Sequence, residues 1–241
     1  MKIITHYSPN YRNIKRSNKS IKNIIIHYTG MQSERESMAR LCDPKSDVSS
    51  HYLINEKGNI FRLVQDENIA WHAGKSCWKG FNNINKNSIG IELVNKGHKL
   101  GYSNFKKKQI LNLIKICWQL IKKYKIKKSN IVGHSDIAPL RKIDPVEKFP
   151  WEYLSKKKIG IWHDKNLNYL KKFRKKNIYL KKDRKEFINI LSKIGYRTLG
   201  NKKLWLKKTI KAFQRHFRKE LINGNLDQEC LIIAKNLKKK L

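Results

Sequence analysis

Ile131-Val132-Gly133-His134-Ser135-Asp136-Ile137-Ala138-Pro139-Leu140-Arg141-Lys142-Ile143-Asp144-Pro145 is the stretch on which the reading of this chain turns. Two β-branched residues end a strand and hand it to a histidine. A turn-rich segment with two prolines follows. It returns with Asp144, ten residues after His134, and Arg141 and Lys142 stand just before that aspartate. Imidazole, carboxylate and two cations in one stiff loop are what a metal site with a nearby oxyanion stabiliser needs.

The pattern has a twin upstream, where Ile24-Ile25-Ile26 runs into His27. Two such strands side by side would bring both imidazoles to the carboxyl rim of a sheet, where α/β proteins place their sites. His27, His134 and Asp144 would then leave one position of a tetrahedral zinc ion open, the catalytic arrangement. Glu92 lies in Ser88-Ile89-Gly90-Ile91-Glu92-Leu93-Val94. A carboxylate among such neighbours is costly to bury without a partner or a purpose. It is the candidate proton acceptor, with Lys142 as candidate oxyanion stabiliser. Trp71 and His72 are expected to touch substrate. His51 begins a strand at the end opposite to His27 and reads as a cleft or packing residue. Plainer roles exist for each: a histidine capping a strand, an aspartate capping before proline, an outward-facing glutamate, one more surface lysine. The joint pattern favours a metal.

Strand and helix signals interleave up to residue 160. Residues 21–28, 51–54, 59–64, 88–94 and 131–132 read as strands, with Asn55-Glu56-Lys57-Gly58 as a hairpin turn. Residues 33–41 suit a short helix and residues 71–87 an aromatic loop. Ile110, Leu113, Ile114, Cys117, Leu120 and Ile121 share one helical face, which predicts a long amphipathic helix over 105–124. The class is α/β, a mixed central sheet flanked by helices. Strand signals then stop. Helical patterns follow at 187–194, 205–217 and 228–237, punctuated by Gly195, Gly200 and Gly224. The expected division is residues 1–165 for the chemistry and residues 166–241 for a small three-helix domain. That second unit is marginal on its own size and is expected to dock on the first.

Composition narrows the function. The 241 residues carry 55 Lys and Arg against 18 Asp and Glu, a net charge of +37, and 39% hydrophobic residues support a core. The lysines run through the whole chain, and no nucleic-acid motif such as an RNP box, zinc finger or basic zipper accompanies them. Specific nucleic-acid recognition is therefore not expected, although polyanions will attract the chain at low salt. No run approaches the roughly 20 apolar residues of a membrane span. With no apolar leader and no early cysteine, a cytoplasmic location is expected. Cys42, Cys77, Cys117 and Cys230 are widely spaced and form no C-x-x-C pair, so reduced thiols are expected.

Five motifs appear in order: His27-Tyr28-Thr29, Ser50-His51-Tyr52-Leu53-Ile54, Ala70-Trp71-His72-Ala73-Gly74, Ser88-Ile89-Gly90-Ile91-Glu92, and Gly133-His134-Ser135-Asp136 through Arg141-Lys142-Ile143-Asp144-Pro145. Together they resemble the zinc-dependent N-acetylmuramoyl-L-alanine amidases of the type 2 family, most of all the branch that accepts 1,6-anhydro-muropeptides. Farther on, Ala212-Phe213-Gln214-Arg215-His216-Phe217-Arg218, Asn223-Gly224 and Asp227 resemble the peptidoglycan-binding module of that branch. The resemblance implies one zinc ion per chain on His27, His134 and Asp144, and a catalytic pair in Glu92 and Lys142. It implies cleavage of the amide between N-acetylmuramic acid and L-alanine, with peptidoglycan or muropeptide fragments as partners and Arg141 against an acidic group of the stem peptide; separately, a monomer is expected. Related phage amidases carry a tyrosine where this chain has Ser50, so that residue's role is not transferred. Phe213 and Phe217, at i and i+4, are expected in the core; His216 and Arg218 are open between core and sugar contact.

Overall fold

A computed structural model describes residues 2–197 and 203–241; Gly200 lies outside them. The chain order is β1 (Ile3–Thr5), β2 (Tyr11–Arg12), β3 (Asn23–Tyr28), α1 (Glu34–Cys42), β4 (Tyr52–Ile54), β5 (Ile60–Arg62), β6 (Ile69–Ala70), β7 (Cys77–Trp78), β8 (Phe81–Asn82), β9 (Ser88–Leu93), α2 (Lys107–Tyr124), β10 (Ile131–Gly133), α3 (His134–Ile137), α4 (Trp151–Lys156), α5 (Leu167–Lys171), α6 (Lys181–Ile194), α7 (Lys203–Phe217) and α8 (Gln228–Lys238).

Six strands form the main sheet in the order β1-β5-β4-β9-β3-β10. The run β4, β9, β3, β10 is parallel, β5 lies antiparallel to β4, and β1 pairs with β5 in parallel. The sheet is thus mixed and flanked by helices, as the interleaved signals predict. Ile24, Ile25 and Ile26 are all fully buried because both faces of the central strand are covered. Ile24, Ile26, Ile89 and Ile91 face α2, where Ile110, Leu113, Ile114 and Cys117 complete one core. Ile25 and Val132 point the other way. They join Trp78 and Ile137 in a second core that continues into Phe187, Phe213 and Ile233 of α6, α7 and α8.

The C-terminal helices are therefore packed on the sheet side of the molecule, and polar contacts fix them there. Asp136 accepts from the Gly133 N–H at 2.8 Å. It also accepts from the Tyr196 hydroxyl at 2.6 Å and from His216 Nδ1 at 2.7 Å, so it ties α3 to the helices beyond it. The His216 ring is stacked on Trp151 and on Phe217, each with centroids 4.0 Å away. Phe213, Phe217 and Arg218 are buried as well. Arg218 is enclosed by Asp227 and Glu229. The sugar-contact alternative for His216 and Arg218 is corrected: both are interior.

Five strands lie outside the sequence expectation: Ile3–Thr5 and the two-residue strands β2, β6, β7 and β8 carry too little period-2 pattern to be seen in sequence. The cysteines are all unpaired. No helix among the described residues is long and apolar enough to cross a membrane.

Candidate metal centre

The parallel pairing of β3 with both β9 and β10 sets the register of the site. Ile26 is opposite Gly133 on one side, and His27 is opposite Glu92 on the other. His134 follows as the first residue of α3, so both histidines stand at the carboxyl ends of neighbouring strands. Gly133 is needed for a close approach: a Cβ there would meet Pro145 Cδ at 2.6 Å. Ser135 N–H donates to the Asp144 carbonyl at 2.8 Å, which folds the far end of the loop back onto α3.

Three side-chain atoms then converge. His27 Nδ1 lies 2.9 Å from His134 Nδ1, and each is 3.2 Å from Asp144 Oδ2. All three residues are buried. Burial, with His134 beside it, pulls the His27 imidazole down to about 4, so the ring is neutral near pH 7. His134 Nε2 lies 3.2 Å from the Ala73 carbonyl, which can only accept, nearer than the Arg141 guanidinium at 3.4 Å, which already donates to that same carbonyl. A ligand histidine must be the neutral ring, and here its proton belongs on Nε2. That leaves a bare Nδ1 facing a carboxylate and a second imidazole. Lone pairs crowded this closely fit a bound cation. The set of two nitrogens and one oxygen fits zinc, with a position left for substrate or water.

Glu92 borders the same cleft, a cavity of about 480 Å³ also lined by Tyr28, Trp71, Arg141 and Lys142. Burial, reinforced by Asp144 and opposed by Lys142, pushes the Glu92 carboxyl up to about 8. Its Oε2 is buried with no hydrogen-bond partner.

The other expected residues fall into different places. Trp71 is half-buried on the cleft wall. His72 also borders the cleft, but both its ring nitrogens are engaged behind it, with His27 at 3.0 Å and Ser88 at 3.1 Å. Arg141 donates to the carbonyls of Lys75 and Ala73, so much of its guanidinium serves the 73–75 loop. His51 is fully buried at the far end of β4, where its Nδ1 accepts from the Gly90 N–H at 3.0 Å. Ser88 and Asn85 were missed because nothing in the local pattern marks them. Gly90 did leave a signal, the break in strand alternation: a Cβ there would meet the His72 ring at 2.4 Å.

Residues 17–147 match the family model described as N-acetylmuramoyl-L-alanine amidase. The chain is 38% identical to N-acetylmuramoyl-L-alanine amidase AmiD of Escherichia coli K12, over 91% of this chain and 83% of that protein. The structure is similar to that of E. coli AmiD in complex with anhydro-N-acetylmuramic acid-L-Ala-D-gamma-Glu-L-Lys, with a TM-score of 0.81 and 36% identity, covering 95% of this chain and 93% of that one. It is also similar to AmpDh3 of Pseudomonas aeruginosa in complex with anhydromuramic pentapeptide, with a TM-score of 0.82 and 31% identity, covering 96% of each chain.

Proposed function

The chain belongs to the N-acetylmuramoyl-L-alanine amidase family, and from that premise we propose that it works through a zinc ion held by His27, His134 and Asp144. The enzyme hydrolyses the amide bond between N-acetylmuramic acid, including its 1,6-anhydro form, and L-alanine of the stem peptide. The observation that carries the zinc reading is the convergence of two imidazole nitrogens and a carboxylate oxygen at the strand ends, beside Glu92.

When bound, the ion would supply Lewis acidity, polarising the scissile carbonyl and making a water more acidic. Glu92 would take the proton of the attacking water at Oε2, as the water oxygen bonds to the lactyl carbonyl carbon. The C–N bond then breaks, and Glu92 returns the proton to the nitrogen of L-alanine. A carboxyl whose proton affinity lies near neutral pH suits both halves of that transfer. Lys142 would hold the negative oxygen of the tetrahedral intermediate. Trp71 would pack on the substrate, while Arg141 mainly holds the loop that frames the cleft. Arg40, Lys96 and Lys99 line the same cavity and suit an acidic stem peptide. Residues 166–241 are proposed as a peptidoglycan-binding-like unit; with His216, Phe213 and Phe217 buried, wall contact would fall to other side chains. Four unpaired thiols suit a reducing compartment and action on soluble muropeptides.

A digest of anhydro-muramyl tripeptide followed by mass spectrometry tests this. Product should vanish after EDTA treatment and return with zinc, and hydrolysis untouched by chelation sinks the zinc reading. Glu92→Gln should lower kcat by about 10²–10⁴-fold.

A further inference from the structure

The short segment around Ala73 reaches behind the candidate metal centre and touches the outer nitrogen of both histidines. On one side His27 Nε2 lies 3.0 Å from His72 Nδ1, and His72 Nε2 lies 3.1 Å from Ser88 Oγ. Ser88 Oγ in turn lies 2.6 Å from the Ile84 carbonyl. On the other side His134 Nε2 meets the Ala73 carbonyl at 3.2 Å. Asn85 Oδ1 pins the segment, accepting from the N–H groups of His72 at 3.2 Å and Ala73 at 2.7 Å.

The chain of contacts through His72 has one self-consistent direction. The Ile84 carbonyl only accepts, so the single hydroxyl proton of Ser88 points to it. Ser88 Oγ must then accept, and His72 Nε2 must be the N–H that donates. His72 Nδ1 is left bare and accepts from His27 Nε2–H. His27 Nδ1 is therefore also bare, and it faces His134 and Asp144. We infer that His72 is a positioning residue: it sets the tautomer of His27 and so presents Nδ1 as a ready metal ligand. Gly90 makes the room for it, since any Cβ at that position would overlap the ring.

Without the His72 acceptor, His27 is free to carry its proton on Nδ1 and donate it to Asp144 Oδ2, 3.2 Å away. That arrangement blocks the ligand atom and occupies the carboxylate at once. Removing such an outer partner costs about 10–100-fold in metal affinity.

The inference rests on the zinc reading above, and its test reads zinc affinity rather than turnover. Zinc dissociation constants of the full chain would be measured by chelator competition, with circular dichroism to check folding. His72→Ala should weaken zinc by about 10–100-fold. His72→Asn, which can place its amide oxygen where Nδ1 was, should recover most of that loss. Ser88→Ala, a change of one oxygen, should weaken zinc by a smaller factor. Nitrogen NMR of the metal-free protein should show His27 protonated on Nε2 in the native chain and shifted toward Nδ1 in His72→Ala. Unchanged zinc affinity in a folded His72→Ala protein overturns the inference and leaves the zinc reading standing. So does His72→Asn binding no better than His72→Ala, because the ring's volume would then be what matters. If the native chain itself fails to bind zinc, both readings fall together.

Discussion

Helix α3 stands between two buried clusters made from the same parts, and they could hardly be finished more differently. Toward the cleft lie His27, His134 and Asp144; toward the C-terminal helices lie His216, Asp136 and Tyr196. In the second cluster the carboxylate is complete, with a backbone N–H, a hydroxyl and an imidazole nitrogen all donating to it. Only His216 Nε2 is left without a partner. In the first, the histidine protons are drawn outward, to His72 and Ala73, and the inward-facing atoms are acceptors. Histidine and aspartate in proximity do not by themselves mean a metal. What separates a structural clasp from a metal centre is where the protons sit, and that is set by the residues one layer out.

Substitutions should separate the two clusters along different axes. The largest effect is expected at the unfinished one: Asp144→Ala should abolish muropeptide hydrolysis, while the urea midpoint of the metal-free protein moves less than it does for Asp136→Ala. Equal loss of stability at both positions would erase the distinction. At the finished cluster, Asp136→Ala strands two donors and an imidazole in the interior and should cost about 3–5 kcal/mol of unfolding free energy. The protein that remains folded, measured at low temperature with saturating zinc, should keep most of its kcat.

The smallest effect is the pH dependence of the metal-free protein. Burial, with charged neighbours adding to it, brings His27 down to about 4 and His51 to about 3, from ordinary values of 6.5. The unfolded chain therefore binds more protons than the folded one below pH 6.5, and stability falls as acid is added. Glu92 works in the opposite sense. Its folded value of about 8 stands above the ordinary 4.5, so its contribution is lost as pH rises across that interval. Urea midpoints should peak near pH 6.5 and decline toward pH 8 by on the order of 1 kcal/mol per pH unit. Glu92→Gln should remove the decline and leave the acid limb in place.

How legible these features were in the sequence follows from how local their signals are. The candidate metal triad could be read because two isoleucine-rich strands each end in histidine, and the aspartate returns within the same loop. Helix α2 followed from the spacing of its apolar residues. The clasp could not be read, since Asp136 and His216 are separated by 80 residues and no periodicity connects them. His72 stood out beside Trp71, but its partners lie 45 and 16 residues away, so a substrate contact was the natural expectation. Gly90 showed as a flaw in the strand pattern; only the fold reveals that an imidazole fills the missing carbon's place.

The apolar layer that runs from Ile25 and Val132 through Trp78 and Ile137 into Phe187, Phe213 and Ile233 has a practical corollary for anyone trimming the protein. Stopping the chain at residue 165 would not isolate a tidy hydrolase. It would strip the cover from Trp78 and Ile137 and leave an oily face of the kind that drives self-association. A shorter enzyme would need that face repainted with polar side chains before the scissors were used.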